Sequence, residues 1–218
     1  RYDRGKINMP HILSIYCLLL SFQSYVLAAG DCCPKKPFTK DQELTQGLDI
    51  CLISETQSFE PGKPFRVGLH IRHHEGFHSY WKNPGNVGIP TEVKWELPVG
   101  FKASAFQWPY PEQTRMAQHP CYGYLRDVLL ITTITPPDTF QGESLTIKGN
   151  ARWMCCKKSC FPGFQTFSLI LPVGKQVPNL KSQKLFVHSD KENPLPNPEI
   201  KAVLTSVAND SQISVSLS

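Results

Sequence analysis

LDICLISETQSFEPGKPFRVGLHIRHHEGFHSYWK, residues 48–82, sets a pattern that the rest of the body repeats. It holds three short apolar or alternating runs, at 48–56, 64–74 and 76–82, cut apart by Pro61-Gly62 and Glu75-Gly76. Runs of that length bounded by turn residues read as strands. Downstream the pattern repeats in TEVKWEL (91–97), FKASAFQW (101–108), YLRDVLLITTI (124–134), SLTIKGNARWM (144–154) and TFSLILPV (166–173). The longest apolar run, 124–134, is expected to be a central strand. No segment keeps a helical period for three turns. Strands at this spacing predict an all-β fold, an antiparallel two-sheet sandwich over residues 48–173. Trp81, Trp95, Trp108 and Trp153 are expected in its core.

Outward from that body the character changes. Arg1, Arg4 and Lys6 precede a largely apolar stretch, Ile12 to Ala29, that ends in small residues. Residues 1–29 therefore read as a signal peptide, with an uncleaved anchor as the alternative. Residues 30–47 form a polar leader. Residues 174–198 are rich in Pro and Lys and read as a linker. Residues 199–218 return to alternation, with Ile213, Val215 and Leu217 on one face, and are expected to begin a second β domain. Asn209-Asp210-Ser211 reads as a turn. The formal charge of +5 is scattered along the chain. No basic stripe interleaves with aromatics, which argues against nucleic acid as a partner.

Export would remove one of the eight cysteines and leave an odd number in an oxidising compartment. The informative segment is WMCCKKSCFPG, residues 153–163. Cys156 and Cys160 are separated by three residues, enough for the chain to turn back and bring two sulfurs together. Lys157 and Lys158 lie between them, where positive charge favours a thiolate. Strand parity places Cys156 with Arg152 and Met154, and turns Cys155 to the other face with Trp153. By spacing alone the pair is equally a structural disulfide across a β-turn, and a zinc site using Cys155, Cys156 and Cys160 is a third option. Four histidines, His70, His73, His74 and His78, fall within nine residues. His70, His74 and His78 share strand parity and are weak metal candidates, since the turn at Glu75-Gly76 is expected to part them. No metal or other cofactor is otherwise expected.

Four segments carry a more specific message: 76–101 (GFHSYWKNPGNVGIPTEVKWELPVGF), 108–112 (WPYPE), 122–124 (YGY) and 153–162 (WMCCKKSCFP). In that order they resemble the N-terminal periplasmic domain of the thiol:disulfide interchange protein DsbD. They also resemble its relatives linked to suppression of copper sensitivity, the ScsB-like proteins. The resemblance implies an immunoglobulin-like β-sandwich in the periplasm, either free or tethered to the inner membrane. It implies a redox-active disulfide as the working group, with Cys156 and Cys160 as the catalytic pair. Implied partners are a thioredoxin-like domain or protein, a transmembrane electron-transfer domain, and periplasmic thiol oxidoreductases that receive the electrons. Two tyrosines flank the cysteines in the family; one matches Tyr80 and the other falls on His78. The family's aromatic cap falls on Cys121, so Tyr122 or Tyr124 is expected to substitute, or Cys121 is a third thiol or a buried cysteine. Cys32, Cys33 and Cys51 receive no role. The competing reading is a non-catalytic exported sandwich that binds copper or a partner protein, with Cys156–Cys160 as a staple.

Overall fold

A computed structural model of the chain describes residues 47–194 and the strands Ala202–Ser206 and Ile213–Leu217. The expected signal peptide, most of the leader, Cys32 and Cys33 lie outside the described residues, as does Asn209. Ten strands build the body: β1 (Leu48–Ser54), β2 (Phe65–His73), β3 (His78–Gly85), β4 (Glu92–Glu96), β5 (Lys102–Ala103), β6 (Glu112–Met116), β7 (His119–Tyr124), β8 (Val128–Thr135), β9 (Ser144–Cys156) and β10 (Cys160–Pro172). One helix, α1 (Gln183–Glu192), follows. Ala202–Ser206 and Ile213–Leu217 pair as a separate antiparallel hairpin, β11–β12.

The strands form two antiparallel sheets, which is the sandwich that residues 48–173 predict. One sheet runs β1-β2-β8-β5; the other runs β10-β9-β3-β7-β6, with β4 sharing an edge of β9. Alternation explains the layering. Along β9, Leu145, Ile147, Ala151, Trp153 and Cys155 point into the sandwich, while Lys148 and Arg152 are exposed. From the facing sheet come Leu48, Ile50, Leu69, Ile71, Val128 and Leu130. A second region packs Phe59 against Phe65, Phe101 and Phe140, with ring centroids 5.5, 6.0 and 5.7 Å apart. Trp153 is buried in the first region, and Trp81, Trp95 and Trp108 pack against the core from its margins.

The strand from the 124–134 run, β8, is central as expected, lying between β2 and β5. Val128 to Ile131 are all buried, so both its faces are covered. The sandwich covers one face, and α1 covers the other. Phe186 of α1, with no exposed surface, packs on Ile53, Leu129 and Ile131. The expected linker over 174–198 is thus packed structure in its described part. Polar side chains fasten the helix. Ser182 Oγ donates to Ser54 O at 2.6 Å, Ser189 Oγ donates to Leu129 O at 3.0 Å, and Arg66 bridges Glu55 and Asp190. The helix escapes a periodicity argument because it is ten residues long and buries only Phe186 and Ser189. Among the described residues no helix is long and apolar enough to cross a membrane.

Candidate active site

β9 and β10 are one long hairpin, and its tip holds the cysteine pair. The register pairs Cys160 directly with Cys156, and continues through Phe161 opposite Cys155 and Pro162 opposite Met154. Lys157, Lys158 and Ser159 make the turn, closed by a 3.0 Å bond from Lys157 N to Ser159 O. The two cysteines are joined by a disulfide with Cα atoms 4.1 Å apart. Their surroundings differ sharply. Cys156 is fully buried, whereas Cys160 is exposed.

β3 enters beside the hairpin tip, with His78 opposite Cys156 and Ser79 opposite Cys155. Two residues along, Tyr80 lies on the same face as His78. Its hydroxyl donates to Cys156 Sγ at 3.0 Å and lies 3.8 Å from Cys160 Sγ. Burial is the main cause that pushes the Tyr80 phenol up to about 12, so it remains a donor at neutral pH. Two glycines make room for this arrangement. A Cβ at Gly88 (φ +104°) would stand 2.2 Å from the Tyr80 ring, and one at Gly123 would stand 2.1 Å from Ser79 O. Both glycines lie in the segments 76–101 and 122–124 that carry the resemblance, but the close approach that needs them belongs to strands that meet only in the fold.

Cys121 joins Tyr80 and Cys156 in one buried cluster, edged by Val87, Met116 and Met154. It is a free thiol whose pKa burial raises, against a backbone hydrogen bond from Met116. Tyr122 is exposed and stands beside Gly85. Tyr124 belongs to the sandwich core, where its hydroxyl donates to Pro109 O at 2.8 Å. Cys155, the other free thiol, is also in that core, and burial pushes it up to about 12. Cys51 is disulfide-bonded. Lys157 is drawn away from the sulfurs: its ammonium donates to Glu75 O at 2.9 Å and sits 5.4 Å from the Phe77 ring centroid.

The three histidines of the metal candidacy do not converge. His70 Nε2 lies 3.4 Å from Asp127, His74 Nε2 lies 3.6 Å from Asp49, and His78 lies at the disulfide. The turn at Glu75-Gly76 falls between His74 and His78. Among the described residues no group of three or more His, Cys, Asp or Glu is placed to hold a metal ion. His73 is structural. Its ring bridges Arg126 O at 2.7 Å and Ser79 Oγ at 2.8 Å, and burial lowers its pKa to about 4. A cavity of about 470 Å³ opens elsewhere, between α1 and residues 109–112, and is lined by His70, Tyr124 and His188 among others. No cysteine lines it.

Residues 51–172, more than half of the chain, match the family described as the N-terminal domain of the thiol:disulfide interchange protein DsbD. No curated protein matches the sequence. Among solved structures, the chain is similar to the N-terminal periplasmic domain of ScsB from Proteus mirabilis, at a TM-score of 0.60 and 18% identity. That match covers 83% of this chain and 66% of the other, so the chain spans just under two thirds of that relative. The likeness is one of fold, the immunoglobulin-like β-sandwich. The N-terminal domain of DsbD from Neisseria meningitidis, in its reduced form, aligns at a TM-score of 0.33 and 12% identity, over 60% of this chain and 90% of that one.

Proposed function

The chain belongs to the DsbD N-terminal domain family, and from that membership we propose that it is a periplasmic thiol–disulfide exchange domain working through Cys156 and Cys160. The observation that carries the proposal is the asymmetry of the disulfide: one sulfur exposed on the hairpin tip, the other buried against a hydroxyl donor. Disulfide exchange needs a thiolate to reach one sulfur along the S–S axis while the other leaves. Exposure makes Cys160 the sulfur that a partner reaches. Cys156 then leaves as a thiolate, and the Tyr80 hydroxyl donates a hydrogen bond to the charge as it develops.

The steps balance without a cofactor. A partner thiolate attacks Cys160 Sγ, a partner–Cys160 disulfide forms, and the Cys156–Cys160 bond breaks. A second partner thiolate then attacks its own disulfided sulfur and releases Cys160. The partner has lost two electrons and the domain holds a dithiol. Run backwards against a client disulfide, the same steps deliver those electrons. A partner with two thiols at one tip, such as a thioredoxin-like domain, suits this chemistry. Family membership supports an upstream transmembrane electron-transfer domain and downstream periplasmic thiol oxidoreductases, with the chain as a protein-disulfide reductase in the middle of the relay.

The test offers single cysteine variants the oxidised form of a thioredoxin-like protein, and the unmodified domain its reduced form. In Cys156→Ser the Cys160 thiolate should open the partner's disulfide, release one partner thiolate and accumulate as a mixed disulfide, whereas Cys160→Ser should accumulate little. In the unmodified domain the disulfide should be reduced by excess donor. A disulfide that stays oxidised against that donor would identify it as a staple and end the proposal.

A further inference from the structure

Exchange as written above leaves His78 unused, although it stands at the centre of the site. It faces Cys156 across the β3–β9 register, which puts the two Cβ atoms about 4.5–5.5 Å apart on one face of the sheet. Its ring meets Tyr80 edge-on, with centroids 5.2 Å apart, and the Tyr80 hydroxyl touches Cys156 Sγ. His78 is 4% exposed, and its Nε2 is buried with no hydrogen-bond partner. An unpaired buried imidazole nitrogen is costly, and such groups persist where they have a use.

Cys156 has a corresponding need. It is fully buried beside Val87, Met116 and Met154, so a lone thiolate there pays a desolvation penalty with no water to offset it. Passing the thiol proton to an adjacent neutral base leaves the net charge of the pocket unchanged. The other titratable groups on the elements packed around His78 are poorly suited to accept it. On β3, Tyr80 is held protonated. On β2, His73 already bridges Ser79 and Arg126. In the turn before β3, His74 faces Asp49 and Glu75 is exposed. On β7, Cys121 is a thiol with a raised pKa, and on β9, Cys155 turns into the core. At the hairpin tip, Lys157 is occupied by Glu75 O and Phe77, and Lys158 is a cation on the exposed side.

We propose that His78 is the proton acceptor and donor for Cys156 during exchange. The inference rests on the reading of Cys160 as the sulfur that partners reach. In the donating direction, the Cys160 thiolate attacks a client disulfide, forming a Cys160–client disulfide and releasing one client thiolate. The Cys156 proton moves to His78 Nε2, and the resulting thiolate attacks Cys160 Sγ. The Cys156–Cys160 bond forms, the client's second sulfur leaves as a thiolate, and the imidazolium proton passes to solvent. Two electrons move from the dithiol to the client. In the reverse direction His78, protonated from solvent, returns the proton to Cys156 as it leaves.

The experiment is stopped-flow reaction of the reduced domain with dithiobis-nitrobenzoate, a chromogenic disulfide that reports each step. The first release of chromophore reads attack by Cys160, and the second reads resolution by Cys156. In His78→Gln the first release should keep its rate. The second should slow roughly a hundredfold near neutral pH, the low end of what a positioned base contributes, and lose its imidazole inflection against pH. A second release unchanged in rate and pH profile overturns the proposal, and so does equal slowing of both. Absence of the first release in the unmodified domain would instead refute the role of Cys160 beneath it. Should His78→Gln fail to fold, NMR titration of the unmodified protein decides. The His78 ring should titrate higher in the dithiol form than in the disulfide form, and identical titrations overturn the assignment.

Discussion

Cys156 and Cys160 face one another across a hairpin, yet they are chemically unequal because β3 lies beside one of them and solvent beside the other. In the proposed exchange, Tyr80 is the residue that converts burial into reactivity. Its hydroxyl meets Cys156 Sγ at 3.0 Å, and a hydrogen bond to a charged acceptor is worth about 1.5–3 kcal/mol. Tyr80→Phe should therefore slow reduction of the disulfide by small thiols by about tenfold or more, since the leaving thiolate loses its donor. The ring stays in place against Gly88, so the melting temperature should move little; stopped-flow exchange and calorimetry on the same variant check both halves. The split between Cys155 and Cys156 was legible by parity alone, because a strand turns successive side chains to opposite faces. The position of Cys121 beside Tyr80 and Cys156 was not, since it depends on how β7 pairs with β3.

Among the elements, the β9–β10 hairpin belongs to one sheet while α1 packs on the other, and they do different work. The hairpin spans thirteen residues in each strand, and its length carries the cysteine pair to the end of the second sheet. The helix lies over the outer face of the first sheet, where Phe186 fills the space above Ile53, Leu129 and Ile131. Phe186→Ala should cost about 3–5 kcal/mol, the usual range for deleting a fully buried aromatic. Denaturant unfolding measures that loss. Disulfide exchange with a small-molecule partner should keep its rate in conditions where the variant is folded, because the helix does not touch the hairpin tip. A parallel loss of exchange would show that the two sheets are coupled.

For the whole molecule, two linked equilibria follow from buried chemistry. His73 is held neutral, with a pKa lowered from 6.5 to about 4 chiefly by burial. Below pH 6.5 the unfolded chain takes up a proton that the folded chain accepts only near pH 4, so stability falls as pH falls across that window. Urea midpoints measured from pH 7 down to pH 4.5 should decline, and the decline should be shallower in His73→Gln. Reduction is the second equilibrium. The disulfide closes a loop of sequence separation 4, for which the chain-entropy model gives only about 2 kcal/mol. The dithiol domain should remain folded and melt about 4–8 °C lower, as calorimetry with and without reductant would show. Unfolding on reduction would mean that the pair holds the fold together.

What the sequence determined by itself was the β architecture and the cysteine pair. Both are written in local terms: apolar runs of strand length cut by Pro and Gly, a two-residue period that assigns faces, and a spacing that lets Cys156 and Cys160 meet across a turn. The tertiary structure decided the rest. Which sulfur is buried, which hydroxyl reaches it and which histidine stands opposite all depend on His78 and Ser79 of β3 docking against Cys156 and Cys155 at the end of β9, far away in the chain. Likewise α1 is stable only because a sheet lies beneath Phe186, so its ten residues carry too little periodicity to announce it. Local order is set by neighbours in sequence. A reactive site is set by neighbours in space, where burial and hydrogen bonding fix what each sulfur can do.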